Sequence, residues 1–293
     1  MEGDQNMNRI LLHNNCYGKY PLEALFQKAK EFGYDGVELE APKENIEEKS
    51  KIIREYKEKY GLKEIVVHKT VRTITDEDQK IVQQEIEDFI KFIPVVKKIL
   101  GVKIINTMAI STLIGRGAKY IEYGKNGSTV AEEIHFQRAA ETFRKIAPFA
   151  EKENVCLSFE THGCLIHDTV ESTLKLVKMI NSRNIKINLD YANLYLMPGL
   201  ENIEKILGKL RNEICYLHIK NLRKIVDMPD NGDLSFFFTS IKEGEIDYRL
   251  IIQNLKNIGY QGPIALEYPG AVGDPDIVAK GDIIYMRDLL KEN

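Results

Sequence analysis

Short stretches of alternating apolar and polar residues recur along the chain, separated by longer amphipathic stretches. The clearest covers residues 155–160 (V-C-L-S-F-E), where Val155, Leu157 and Phe159 alternate with small or polar residues. A period of two puts these two sets on opposite faces of a β-strand. We therefore predict a strand whose apolar face packs on helices and whose polar face, ending on Glu160, points inward.

Seven further stretches predict strands of the same kind. They cover residues 9–13, 37–40, 64–68, 102–106, 185–190, 214–220 and 263–267. Helical spacing and capping residues predict a helix entered at Pro21 and others over 46–60, 76–100, 131–152, 168–180, 200–210, 247–258 and 275–290. In this prediction Asp76 caps the third helix, and Pro94 kinks or breaks it.

Strands and helices in strict alternation predict one fold. Eight such units in a single domain are typical of a (β/α)8 TIM barrel, which we expect to span residues 1–293 with residues 1–8 flexible. Two stretches, 107–129 and 221–246, lack periodicity and are predicted as long ordered loops, a class that is usually functional. We expect the first loop to cover the barrel mouth. The phenylalanine run 236–238 is interpreted as an apolar lid, a subunit contact or packing within the second loop.

Composition and charge narrow the class of protein. The chain has 293 residues, 43% of them hydrophobic and 29% charged, as expected for a soluble globular domain. A net charge of −3 without a long basic run argues against a nucleic-acid partner. No apolar run is long enough for a membrane span, and the polar N-terminal octet predicts no secretory signal.

The cysteines bear on the cellular compartment, and the expected partner is a small molecule. Four cysteines without a C-x-x-C spacing predict reduced thiols in a cytoplasmic protein. We expect a small sugar or polyol as partner and leave open whether the chain forms a homo-oligomer.

Four of the predicted strands end on metal-binding residue types. Glu160, Asp190, His218 and Glu267 each lie at or near a strand's C-terminal end, on its polar face. In a parallel barrel these ends meet at one mouth, where active sites are found. Three carboxylates and one imidazole predict a site for one divalent metal ion, Mn²⁺, Mg²⁺, Co²⁺ or Zn²⁺. No thiolate belongs to the set, so we do not expect a structural zinc site.

Several motifs resemble those of the xylose isomerase-like barrels, in particular the sugar phosphate isomerase/epimerase group. They are S-F-E-T-H-G (158–163), N-L-D-Y-A-N-L (188–194), L-H-I-K (217–220), E-G-E-I-D-Y (243–248) and G-Y-Q-G-P-I-A-L-E (259–267). The resemblance covers nearly the whole chain. It implies a metal-dependent isomerase or epimerase of a sugar, sugar phosphate or polyol ketone, in which Glu160 and Glu267 bind metal and also act as acid and base. Such enzymes move a proton through an enediolate.

The alternative within this superfamily is a lyase that dehydrates an inosose or a dehydroshikimate-type acid, because both reactions begin by removing an α-proton. A metal-dependent phosphoesterase and a sugar-binding barrel without turnover are further hypotheses. The chain departs from the epimerase pattern at Asn193, where many members have a histidine that contacts substrate. Asn193 can still donate a hydrogen bond to a hydroxyl, but the departure leaves the substrate open.

Four other residues are candidates for substrate binding. His68 ends a strand and would bind substrate hydroxyls. His162 shares the parity of Glu160 and would contact substrate, orient a ligand or be a structural histidine of the loop. Lys220 would meet a substrate oxygen or phosphate, or neutralise the acidic mouth. Glu40 would bind substrate or pair with a basic neighbour in the barrel.

Overall fold

Eight parallel strands close into a barrel, and the predicted site residues lie at or just after the C-terminal ends of these strands. The structure, a computed structural model, describes residues 8–71, 78–111, 113–119, 122–225, 235–269 and 274–292. The strands are β1 (Ile10–His13), β2 (Gly36–Glu40), β3 (Glu64–His68), β4 (Ile104–Thr107), β5 (Cys156–Glu160), β6 (Ile185–Asp190), β7 (Ile214–Ile219), β8 (Asn221–Ile225), β9 (Ser235–Thr239) and β10 (Ile264–Leu266). Strands β1 to β7 follow one another around the ring and β10 closes it between β7 and β1, which confirms the TIM-barrel prediction.

Helices alternate with the barrel strands. They are α1 (Leu22–Phe32), α2 (Ile46–Tyr60), α3 (Gln79–Leu100), α4 (Glu133–Lys152), α5 (Val170–Ile180), α6 (Tyr191–Tyr195), α7 (Ile203–Leu210), α8 (Tyr248–Asn257) and α9 (Pro275–Lys291). Helix α3 continues through Pro94, so of the predicted kink or break the break does not occur, and Asp78 accepts a hydrogen bond from Lys80 N at the start of the helix. The predicted cap Asp76 lies outside the described residues. At the end of α3, Gly101 takes a left-handed conformation (φ 70°) that glycine adopts without a Cβ clash.

The apolar residues form two layers, one on each side of the strands. The outer layer packs strands against helices; in β5, for example, the Phe159 ring lies 4.5 Å from the Phe143 ring of α4. The inner layer is a small cluster inside the barrel made of Leu11, Val66, Ile104, Tyr216 and Ala265. This inner cluster leaves the C-terminal part of the barrel interior to the polar residues of the same strands.

The loop 107–129 packs against the segment that follows β5. Ala109 N donates to His167 Nε2 at 3.0 Å, and Ser128 N donates to Asp168 Oδ2 at 3.2 Å. Gly163 lies so close to the Tyr123 ring that an added Cβ would come within 2.1 Å of it. Among its described residues, this loop therefore lies on the C-terminal face of the barrel, as expected.

The segment 221–246, predicted as a second long loop, contains regular secondary structure. Strands β8 and β9 form an antiparallel hairpin within it, in which Leu222 pairs with Phe238 and Lys224 with Phe236. The phenylalanine run therefore alternates between two faces of a strand. The short helix α6 was also not predicted; it begins where the Asp190 side chain accepts from Asn193 N.

Two further expectations concern the N-terminus and the membrane. Residues 1–7 of the segment predicted as flexible lie outside the described residues, while Asn8 donates a hydrogen bond to Gly262 O at 2.7 Å. In the described part of the chain, no helix combines the length and the apolar character that crossing a bilayer requires.

Candidate metal centre

Glu160, Asp190, His218 and Glu267 meet at the C-terminal end of the barrel. The first three lie in β5, β6 and β7, and Glu267 directly follows β10. The parallel register sets Asp190 beside His218. One candidate ligand atom from each of the four side chains lies within 4.8 Å of every other one. The structure thus brings together the residues that the sequence predicts as metal ligands.

The two ring nitrogens of His218 face different surroundings. Nε2 lies 2.7 Å from Glu38 Oε2, whereas Nδ1 lies 3.3 Å from Glu160 Oε2 and 3.6 Å from Glu267 Oε2. Nδ1 is buried and has no hydrogen-bond partner among the described residues. A buried, unpartnered nitrogen beside carboxylate oxygens fits an imidazole ligand of a divalent cation. The whole donor set fits Mn²⁺, Mg²⁺, Co²⁺ or Zn²⁺.

Charge determines the protonation of this cluster. Burial alone lowers the pKa of His218, but the carboxylates of Glu38 and Glu160 outweigh burial and raise it well above 6.5. Burial raises the pKa of Glu160, yet attraction to His218 and Lys220 leaves it well below 4.5. Glu267 also has a lowered pKa, because Lys220 and His218 outweigh its burial. Both carboxyl groups are therefore ionised at neutral pH, and a proton competes with a cation for His218 Nδ1.

Lys220 places a buried ammonium group between two of the candidate ligands. Its Nζ lies 2.7 Å from Asp190 Oδ2 and 2.9 Å from Glu267 Oε2. Burial lowers the pKa of Lys220, but these carboxylates raise it well above 10.5. Of the two interpretations of Lys220, the contacts match neutralisation of the acidic mouth. The ammonium and a dication together would balance the three ligand carboxylates, as a buried site requires.

In both Glu160 and Glu267, an asparagine amide donates a hydrogen bond to one carboxylate oxygen, Oε1. Asn193 Nδ2 donates to Glu160 Oε1 at 3.2 Å, and Asn15 Nδ2 donates to Glu267 Oε1 at 2.6 Å. The other oxygen, Oε2, faces His218 Nδ1 in both residues. Asn193 was predicted to bind substrate, and the structure shows it holding Glu160. Asn15 was missed, because the short 3-10 helix after β1 (Asn14–Tyr17) carries no periodic pattern.

Glu38 is a buried member of the site that sequence reasoning missed. It accepts hydrogen bonds from Tyr216 OH at 2.5 Å and Asn106 Nδ2 at 3.0 Å, besides its contact with His218. Burial raises its pKa, but His218 and the neighbouring histidines His13 and His68 bring the pKa to about 2. These contacts make Glu38 the group that orients His218. One signal was available, because Glu38 shares the parity of Glu40 in G-V-E-L-E and lies on the inward face.

The remaining predicted site residues lie around this centre. The side chain of Glu40 is 60% exposed, and its Oε1 lies 3.6 Å from His68 Nδ1. Both line a cavity of about 240 Å³ together with Lys43, and His68 Nε2 is buried with no hydrogen-bond partner within the described part of the chain. His162 Nδ1 lies 3.0 Å from Gly163 O. Two groups of possible metal ligands are found among the described residues, one with Glu160, Asp190, His218 and Glu267 and one with His13, Glu38 and His218. Glu40, His68 and His162 belong to neither.

Aromatic side chains of the hairpin approach the same centre. Lys220 Nζ lies 6.0 Å from the centroid of the Phe238 ring. Phe236 on the same face contacts Tyr123 of the loop 107–129, with ring centroids 6.4 Å apart. Two loops that follow different barrel strands therefore meet beside the candidate metal centre.

Replacing Glu38 by glutamine is expected to weaken divalent-metal binding about 10- to 100-fold, as for other residues that orient a metal-ligating histidine. Both Glu38 oxygens accept hydrogen bonds, so an amide NH₂ at either position would face a donor. Isothermal titration with Mn²⁺ measures the affinity. Tyr216→Phe, which removes one hydrogen bond from Glu38, is expected to have a smaller effect. Unchanged affinity in Glu38→Gln would contradict the orienting role.

Comparisons with known proteins agree with this fold. An inosose dehydratase from Clostridium perfringens is 26% identical over 160 residues, 52% of each chain. The chain thus spans about half the length of the curated relatives it matches. Two solved structures share the fold over nearly the whole chain. A D-psicose 3-epimerase has a TM-score of 0.75 at 14% identity, covering 97% of this chain and 100% of its own. A barrel protein from Mycobacterium smegmatis in complex with magnesium has a TM-score of 0.74 at 18% identity, covering 97% and 96%.

The family match extends over most of the barrel. The model of the xylose isomerase-like TIM barrel family matches residues 26–289, from within α1 to within α9. That span includes all four candidate metal ligands. The chain therefore belongs to the xylose isomerase-like TIM barrel family, which includes sugar isomerases and epimerases and related dehydratases.

Proposed function

We propose that this protein is a divalent-metal-dependent isomerase or epimerase acting on a sugar, a sugar phosphate or a related polyol ketone. The observation that carries the proposal is the matched arrangement of Glu160 and Glu267. Each has one oxygen held by an asparagine amide and the other facing His218 Nδ1. Two carboxyl groups at one centre suit a reaction in which one, in its ionised form, removes a proton and the other, after taking a proton from solvent, returns one.

The two glutamates, the other candidate ligands and the two asparagines would have different roles in this reaction. In the first step one glutamate takes the proton from the carbon next to the carbonyl group, which leaves an enediolate. In the second step a carboxyl group returns a proton, to the opposite face in an epimerisation or to the neighbouring carbon in an isomerisation. The cation, held by Glu160, Asp190, His218 and Glu267, would supply the positive charge that stabilises the enediolate. Asn15 and Asn193 would keep the two glutamates from rotating between the steps.

Substrate binding is proposed for the polar residues around the centre. His68 and Glu40 line the neighbouring cavity, where their side chains would bond substrate hydroxyl groups. His162, Asn193 and Lys220 lie at or beside the strand ends that carry the ligands. Together they offer donors and acceptors for a polyhydroxylated substrate.

A dehydratase is the second candidate, favoured by the position of Lys220. A lyase removes the same α-proton and then expels the β-hydroxyl as water, so it needs an acid near the leaving group. His162, or the Lys220 ammonium 2.9 Å from Glu267 Oε2, would supply that proton. Similarity to an inosose dehydratase over half of the chain supports this alternative.

Deuterium exchange separates the two candidates. The protein loaded with Mn²⁺ would be incubated in D₂O with a panel of ketoses, inososes, hydroxypyruvate and 3-dehydroshikimate. An isomerase or epimerase is expected to return a product with one carbon-bound deuterium and the mass of the substrate plus that deuterium. A dehydratase would give a product lacking the elements of water. If the metal-loaded protein exchanges and dehydrates no member of the panel, the proposal is contradicted for these substrate classes.

A further inference from the structure

A pair of thiols lies inside the barrel at the end opposite the metal centre. Cys156 begins β5 and Cys215 is the second residue of β7, and their sulfur atoms are 2.9 Å apart. Strand β6 separates β5 from β7 in the ring. The two cysteines therefore approach each other across the barrel interior and not through the pairing of neighbouring strands.

An irregularity in the β6–β7 pairing produces this approach. Ile187 pairs with Ile214 and the next residue, Asn188, pairs with Tyr216, so Cys215 is the extra residue of a bulge. A bulge interrupts the alternation of faces and redirects a side chain. As a result Cys215 and Tyr216, although consecutive, both contact the inner apolar cluster, where Cys156 also packs.

We propose that Cys156 and Cys215 form a reversible disulfide bond under oxidising conditions, which makes this pair a redox modification site at the floor of the barrel. The geometry carries the proposal, because unbonded sulfur atoms at this separation are already inside their normal contact distance. A bond between them would link β5 to β7, the strands that carry Glu160 and His218 at their other ends. The proposal does not depend on the proposed enzymatic function.

Accessibility distinguishes this pair from the other two cysteines. Cys156 and Cys215 are half-buried, whereas Cys16 and Cys164 are buried. A small oxidant such as hydrogen peroxide can therefore reach the pair first. Burial and the neighbouring Cys156 raise the pKa of Cys215 well above 9.0, which disfavours the thiolate form of Cys215.

The oxidation balances with peroxide as the oxidant. The Cys156 thiolate attacks one peroxide oxygen to form a sulfenic acid, and the hydroxide released takes up a proton as water. The Cys215 sulfur then attacks the sulfenic sulfur, forming the S–S bond, while its proton leaves with the hydroxyl group as a second water. Two thiols give up two electrons, and a dithiol reductant reverses the reaction.

Thiol titration and peptide mapping test the proposal. The full chain would be treated with a small excess of hydrogen peroxide, quenched, and titrated for thiols after denaturation. The expected result is a fall from the four thiols of the sequence to two, restored by dithiothreitol. A non-reducing peptide map should contain one intrachain cross-linked peptide pair, carrying Cys156 and Cys215.

Single serine variants provide the controls. Cys156→Ser and Cys215→Ser each retain three thiols before treatment and should form no intrachain disulfide. Cys164→Ser, a matched substitution of a buried cysteine, should still lose two thiols and give the same cross-linked peptides. Four remaining thiols in the unsubstituted protein, or a cross-link that joins other cysteines or two chains, would overturn the proposal.

Discussion

Glutamine at position 160 or 267 is expected to abolish α-proton exchange while the protein remains folded. Removing a general acid or base costs about 10²- to 10⁴-fold in rate, and loss of a ligand charge adds to that cost. Glutamine retains an oxygen that can accept from Asn193 or Asn15 and can still contact a cation. Activity should therefore fall far more than metal content does.

Comparison of the two variants also separates mechanisms. Two-base chemistry predicts that both Glu160→Gln and Glu267→Gln lose exchange, measured as deuterium washout by NMR alongside product formation. One-base chemistry predicts one inactive variant and one that is only impaired. Glu213→Gln is the control, because Glu213 pairs with Lys186 near the other end of the barrel. Near-normal exchange in both variants at saturating Mn²⁺ would remove the catalytic assignment.

Metal content is expected to fall strongly in Asp190→Asn. Purified protein should bind about one divalent ion per chain, and we expect the substitution to weaken binding by at least about 100-fold, more than the loss of an orienting residue does. The introduced asparagine can still accept from Asn193 N through Oδ1, as the aspartate does, so the start of α6 is retained. At the other position, the amide NH₂ of the asparagine would replace Asp190 Oδ2, the carboxylate oxygen that contacts Lys220 Nζ and that would bind the cation. Elemental analysis after dialysis, together with Mn²⁺ titration, measures the change.

Asp168→Asn is the matched control for this experiment. Asp168 is buried on the same face of the barrel, and its Oδ2 accepts from Ser128 N. Burial raises its pKa to about 6, so this carboxylate is still largely ionised at neutral pH and the variant removes a buried charge, as Asp190→Asn does. This variant should keep its metal. Full metal content in a double variant lacking the Glu160 and Asp190 carboxylates would contradict the site.

Prediction from the sequence succeeded where a local pattern determines the structure. Alternating residues located the barrel strands, because a strand with one face against helices and one inside the barrel needs that period. The end of each strand then identified Glu160, Asp190, His218 and Glu267, since parallel strands bring equivalent ends together. The hairpin was missed, because the phenylalanine run 236–238 shows no alternation of apolar and polar residues.

Only the tertiary structure shows how deep inside the barrel each inward-facing side chain lies. Glu38 and Glu40 share one parity, but two residues along a strand is a rise of about 7 Å. That rise puts Glu38 beneath His218 and leaves Glu40 at the exposed rim. The sequence pattern identified Glu40 alone, because it ends the strand.

The sequence by itself determined the barrel, its strand order and the set of candidate ligands, because these follow from periodicity and from which residues end the strands. The tertiary structure decided which neighbours complete the site. Lys220 between Asp190 and Glu267, Asn15 on Glu267, and the approach of Cys156 to Cys215 all join residues far apart in the chain. Such contacts depend on strand register, on a bulge and on loop paths. Those features arise only when the ring of strands has closed, so no local pattern encodes them.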